Sequence, residues 1–120
     1  MGTISKQILS GSSQGKPIQV SATGSSGTAI HTTPTSSTVI DEIWLYATNN
    51  DTIQRNLTIE YGATGSASEI SVAIPSKSGL SLVLTGLILT GDGVNSSNVT
   101  AYASATNVIS LMGYVNRITP

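Results

Sequence analysis

The chain has 120 residues, only 9% of them charged, with a formal net charge of −1 and no cysteine. That length suits one domain with a modest core. The charge balance argues against nucleic acid as a partner, because nothing here is basic enough to track phosphates. The missing thiols exclude disulfides and thiolate metal sites. Surface polarity must come from Ser, Thr, Asn and Gln. Such a surface is weakly defended against self-association, which points to one that is covered in the working state by copies of the chain or by a partner.

No basic and apolar leader pattern follows Met1. The longest apolar stretch, Leu80 to Leu89, is broken by Ser, Thr and Gly and falls short of the ~20 residues a membrane helix needs. A soluble chain with no membrane partner is expected. Apolar residues recur with period two and not 3.6, so strands are expected throughout. Thr3 to Leu9 reads as a first strand or an extended arm, and Ser10 to Gly15 as a turn or flexible loop. Lys16 to Ala22 turns Ile18, Val20 and Ala22 to one face, with Pro17 suited to a strand start or edge. Thr28 to Thr33 is a short strand ending before Pro34.

The centre of the sequence is Val39 to Gly62. Its first arm sets Ile43, Leu45 and Ala47 against Glu42, Trp44 and Tyr46. Its second sets Leu57, Ile59 and Tyr61 against Asn56, Thr58 and Glu60, a face expected to be wet. The intervening Asn49-Asn50-Asp51-Thr52 makes the pair the strongest hairpin signal in the chain. Glu69 to Ile74 alternates cleanly and ends at Pro75. Leu80, Leu82 and Leu84 are expected on one face of the next strand, which Gly86 interrupts. Val99, Ala101, Ala103 and Ala105 line one face of another. Val108 to Val115 is the last long strand, and Arg117 to Pro120 a short tail. The sum is an all-β chain of 8–9 strands, spaced as in sandwiches and barrels. The expected fold is an antiparallel β-sandwich, jelly-roll-like, one domain over residues 1–120 with 1–15 an extended arm and loop.

No catalytic constellation is visible. His31 is the only histidine and reads as an ordinary strand residue. A Ser–His–Asp set is arithmetically possible, but no nucleophile elbow precedes a helix. Asp41 and Glu42 are adjacent and so point to opposite faces of a strand, where a solvated strand start is expected. Asp51 and Asp92 lie in turn segments without a calcium-loop pattern. Asn50, Asn56, Asn95 and Asn98 each begin an N-x-S/T triplet, common by chance in so Ser- and Thr-rich a chain. Trp44 and Tyr46 are either an interface anchor or sugar-stacking platform, or aromatic core on the second face of a central strand, the reading preferred here. Catalytic, cofactor and metal residues are all expected to be absent.

The run DEIWLYATNND (Asp41 to Asp51), with LTIEYG (Leu57 to Gly62), IPSKSGLSLV (Ile74 to Val83) and the ending ATNVISLMGYVNRI (Ala105 to Ile118), resembles a group of small structural proteins of tailed bacteriophages. The resemblance runs from about Ile4 to Ile118. It implies a β-sandwich virion component without catalytic residues, assembled in the host cytoplasm. A capsid decoration (cement) protein on the capsid surface is expected first. It would be a homo-oligomer, a trimer by preference, bound to the major capsid protein or other virion proteins. A head–tail joining, neck or tail component and a carbohydrate- or receptor-binding module are the alternatives. Interface residues are expected in the arm, at Thr3, Ile4, Ile8 and Leu9, which could add a strand to a neighbour, and at Trp44 and Tyr46.

Overall fold

The structure, a computed structural model, describes residues 2–120. Among these lie nine strands: β1 (Thr3–Ile8), β2 (Ile18–Gln19), β3 (Thr28–Thr32), β4 (Ile40–Asn49), β5 (Arg55–Gly62), β6 (Glu69–Ile74), β7 (Ser81–Leu89), β8 (Asn98–Ala103) and β9 (Ile109–Thr119). One 3₁₀ turn, Ser66–Ser68, sits between β5 and β6.

The pairing is nested. β1 and β2 both lie on β9, β3 on β8, β4 on β7 and β5 on β6, all antiparallel. The chain is thus one long ribbon doubled back between β5 and β6. Further pairings of β4 with β9 and β5 with β8 close it into a five-stranded sheet, β1-β9-β4-β7 with β2 beside β9, and a four-stranded sheet, β3-β8-β5-β6. With β1 and β2 counted as one interrupted edge strand, this is the jelly-roll arrangement that the sequence predicts.

Alternation decides what lies between the sheets. Ile43, Leu45 and Ala47 of β4 and Leu111 and Val115 of β9 face Leu57 and Ile59 of β5 and Val99, Ala101 and Ala103 of β8, and all are buried. Each Leu- or Ile-sized side chain so buried contributes about 1.5–3 kcal/mol before entropy is counted. Every buried side-chain nitrogen and oxygen among the described residues has a hydrogen-bond partner.

The structure corrects several expectations. The central segment is not a hairpin: β4 and β5 belong to different sheets. Sheets packed face to face stand about 10 Å apart, and residues 50–54 form an arch across that gap. Buried Asn49 ties it down: its Nδ2 donates to the carbonyls of Ile53 (3.0 Å) and Ile74 (2.9 Å), and its Oδ1 accepts from the Asp51 amide (2.9 Å). Nor is the second face of β5 wet along its length: Asn56 is exposed, but Thr58 and Glu60 are buried. Glu60 is only 1% exposed, because the 23–27 loop folds over it.

β7 carries two irregularities. Its pairing with β4 skips Val83 and again skips Gly86, so Leu84 is buried while Leu82 turns outward; Leu80, before the strand, is exposed as well. One extra residue on a strand reverses which face the next side chain takes. The Lys16–Ala22 strand shrinks to Ile18–Gln19, although Ile18 and Val20 are buried as expected. The expected tail is strand as far as Thr119, since Arg117 pairs with Ser5 and Asp41.

Candidate functional site

The candidate site is the outer face of the five-stranded sheet, a surface and not a cleft; no pocket opens among the described residues. Its composition follows from register, because residues directly opposed in neighbouring strands share a face. Three rows cross it. Ile4, Ile118 and Ile40 form the first; Lys6, Asn116, Glu42 and Ile88 the second; Ile8, Tyr114, Trp44 and Thr85 the third. Met112, Tyr46 and Leu82 follow. Ile4, Ile8, Leu82 and Ile88 are 68%, 52%, 50% and 59% exposed, and the aromatic residues between them are half-buried. Soluble surfaces rarely carry so continuous an apolar face without a use for it.

The aromatic centre is held rigidly. Trp44 stacks against Tyr114, with ring centroids 6.2 Å apart and planes inclined by 13°. Its indole Nε1 donates to Glu42 Oε1 at 2.8 Å. On its other side the indole lies over Gly86, whose φ is +87°; a Cβ there would stand 2.9 Å from Trp44 Cζ2. Lys6 Nζ sits 4.7 Å from the centroid of the Tyr114 ring, a cation–π arrangement.

Among the described residues, Lys6 and Glu42 are the only Lys, Arg, Asp or Glu side chains on the face. Hydrogen bonds from Trp44 and then from Asn116 (3.1 Å) hold the Glu42 carboxyl below its usual range. Both bonds end on Oε1, and Oε2 accepts no hydrogen bond among the described residues.

Of the interface residues predicted from sequence, Ile4, Ile8, Trp44 and Tyr46 meet on this face. Thr3 is exposed at the start of β1 and belongs to its opposite side. Leu9 is no surface residue, because the chain turns inward after β1 and buries it in the core. The arm itself is already paired along β9 of its own chain. The expectation that Trp44 and Tyr46 form a buried second core is also overturned: both are half-buried, and among the described residues no further layer covers this side of β4. Lys6, Tyr114, Met112, Leu82 and Ile88 were missed. The signal available was the apolar character of Met112 and Tyr114 opposite Leu111 and Val115, which marks a strand apolar on both sides.

A second cluster lies between the sheets. His31 Nε2 is 2.7 Å from Asp41 Oδ2, and Asp41 also accepts from Arg117 Nε (2.8 Å) and Nη2 (3.1 Å). The Ser10 amide donates to His31 Nδ1 at 3.0 Å, so the imidazole proton lies on Nε2 and is donated to Asp41. A bulge in β3 between Ala29 and His31 turns both Ile30 and His31 inward. Asp41 is 0% exposed, which overturns its reading as a solvated strand start. Burial alone would raise its carboxyl, but the bonds from Arg117 and His31 outweigh this and hold it below the usual range.

This is not a nucleophile relay. Ser10 presents its amide to the imidazole, while its Oγ accepts from the Thr32 amide. Among the described residues no three His, Asp or Glu side chains converge as metal ligands. Comparison with protein-family models finds no match, and comparison with curated proteins finds none either.

Proposed function

We propose that this chain is a non-enzymatic structural protein of a phage virion, a capsid decoration (cement) protein that binds the shell built by the major capsid protein. One observation supports this reading above the others: an open apolar and aromatic sheet face that carries only two charged side chains among the described residues. Such a face offers area and no chemistry. Its work is to bury surface against protein, and repeated over many copies that burial resists outward pressure on a shell. The fold is compatible with this use but carries many others. The test is the copy number of the chain in purified particles, measured by quantitative mass spectrometry against the major capsid protein. Hundreds of copies support a decoration protein. A single ring's worth moves it to the neck or tail, and absence from particles overturns the reading.

A second reading has its own support, since Trp44, Tyr114 and Tyr46 share the open face. Aromatic rings so placed suit stacking on a sugar. Oligosaccharide titration with Trp44 fluorescence as readout separates the two, because a protein-docking face gives no saturable response to sugars.

A further inference from the structure

We infer that the occupant of the open face is a second copy of this chain, packed sheet to sheet about a two-fold axis running parallel to the strands above β9. The inference rests on the assembly reading given above and narrows it: the open face is given to a second copy, and the pair meets the shell through its other surfaces. Charge carries the argument. Lys6 on β1 and Glu42 on β4 are both paired with Asn116, so they stand in one row on either side of β9. A half-turn about an axis along β9 lays β1 of one copy over β4 of the other, row upon row. Lys6 then meets Glu42 of the second copy, and the second Lys6 meets the first Glu42. Ile4 faces Ile40 and Ile8 faces Trp44 by the same operation.

Both charges are open to this contact. Glu42 Oε2 has no hydrogen bond among the described residues, and Lys6 makes no ion pair among them. Burying them under an apolar partner would strand two charges, which is costly. A fitting partner must carry the opposite pair at the same spacing, and the chain itself does so by symmetry. The area is modest. With the axis above β9, only β1, β9 and β4 of each copy overlap, and three strands at ~4.8 Å spacing and some 27 Å of strand length outline roughly 390 Å² before side-chain relief is counted, about half the ~800 Å² per partner of a standard interface. The contact is isologous and makes pairs, whereas the trimer expected from the resemblance would need two different patches in contact.

Sedimentation equilibrium on the purified full chain tests this. The wild type is expected to be a dimer. Lys6→Glu and Glu42→Lys should each weaken dimerisation roughly 100-fold or more, as like charges meet, and the double exchange should restore it. Glu42→Lys also removes the Trp44 hydrogen bond, so Ile8→Asp, on an exposed edge position, provides a second variant expected to be monomeric. Far-UV circular dichroism verifies that each variant is folded. A monomeric wild type, or an oligomer of any size indifferent to all these changes, overturns the inference. A monomeric chain abundant in particles would assign the face to another virion protein and leave the decoration reading standing. A charge-sensitive dimer absent from particles would do the reverse.

Discussion

His31 on β3 and Asp41 on β4 meet at 2.7 Å between the two sheets, and both are buried. Neither sheet hydrogen-bonds to the other through its backbone ladder, so this contact is one of a few polar ties across a largely apolar interior, with Asn49 to Ile74 and Tyr61 to Ile88. Arg117 on β9 completes it by gripping the same carboxylate with two nitrogens. The tie fixes how the sheets face one another near the end of the sandwich where β4 begins.

Asp41→Asn should therefore be among the costliest conservative changes in the chain. It keeps the shape and removes the charge, leaving Arg117 without its counter-ion. Breaking a buried pair costs roughly 3–5 kcal/mol. The Arg117 side chain is 27% exposed and keeps some contact with water, so a loss of about 2–4 kcal/mol is expected. Urea unfolding followed by circular dichroism measures it. A change under about 0.5 kcal/mol, the range of an ordinary surface substitution, would mean that the tie contributes nothing.

The same carboxylate gives the fold an acid limit. The Asp41 pKa is held below its ordinary value of 3.8 in the folded chain, so the unfolded chain binds the proton more readily. Its contribution to stability is whole above pH 3.8 and is lost as pH falls through the folded value. Glu60 acts in the same sense from an ordinary value of 4.5. Hydrogen bonds from Ser25 and Thr100 lower it against the opposing effect of burial, with help from the Gly27 amide. Urea midpoints measured from pH 6 downwards should fall across this window. The Asp41→Asn profile should fall less steeply, with the remaining slope due to Glu60 and other carboxylates.

How much of this was legible in the sequence depended on what alternation can report. It reports faces. Ile43, Leu45 and Ala47, or Val99, Ala101 and Ala103, were assigned to the interior and lie there. It does not report partners. The Asn-rich turn after Ala47 carries the same signal whether the next strand lies beside β4 or across the core from it. Gly86 was visible as a break, but the skipped Val83 had no signature, so Leu82 was placed on the wrong face. Glu60 and Asp41 looked like surface carboxylates because their partners are remote: Ser25 and Thr100 lie 35 and 40 residues from Glu60, and Arg117 lies 76 from Asp41. The open face was read in part, through Ile4, Ile8, Trp44 and Tyr46. Lys6 and Tyr114 joined it only when the register of β1 on β9 was known.

Register also explains why two strands can lie so close at the centre of that sheet. Gly113 is opposite Leu45, and a Cβ on it would stand 2.0 Å from the Trp44 carbonyl oxygen. That atom is backbone and cannot rotate away. Gly113→Ala should force β9 off β4 at the middle of the longest pairing in the structure, with a loss of roughly 3 kcal/mol or more. Trp44 reports it directly, because its stacking on Tyr114 depends on the same register. Thermal unfolding and Trp44 emission should change together. An alanine variant with wild-type stability and an unshifted emission would contradict the packing described here.

Alkali probes the far end of β5, where Tyr61 spans from one sheet to the other. Its hydroxyl donates to the Ile88 carbonyl at 2.9 Å, and burial pushes its pKa up from 10.0 to about 12. The sign is opposite to that of Asp41. The folded chain holds this proton more tightly than the unfolded chain, so the contribution of Tyr61 is whole below pH 10 and is lost as pH climbs towards 12. In an alkaline titration followed by phenolate absorbance, Tyr61 should accordingly ionise in the late stage, as pH climbs towards 12. In Tyr61→Phe the late stage should shrink by one tyrosine while the earlier part of the curve stays in place. Stability above pH 10 should become less pH-dependent in that variant, because phenylalanine fills the same space and has no proton to lose. If Tyr61→Phe instead removed amplitude from the early stage, the hydroxyl would be solvated and the cross-sheet bond to Ile88 absent.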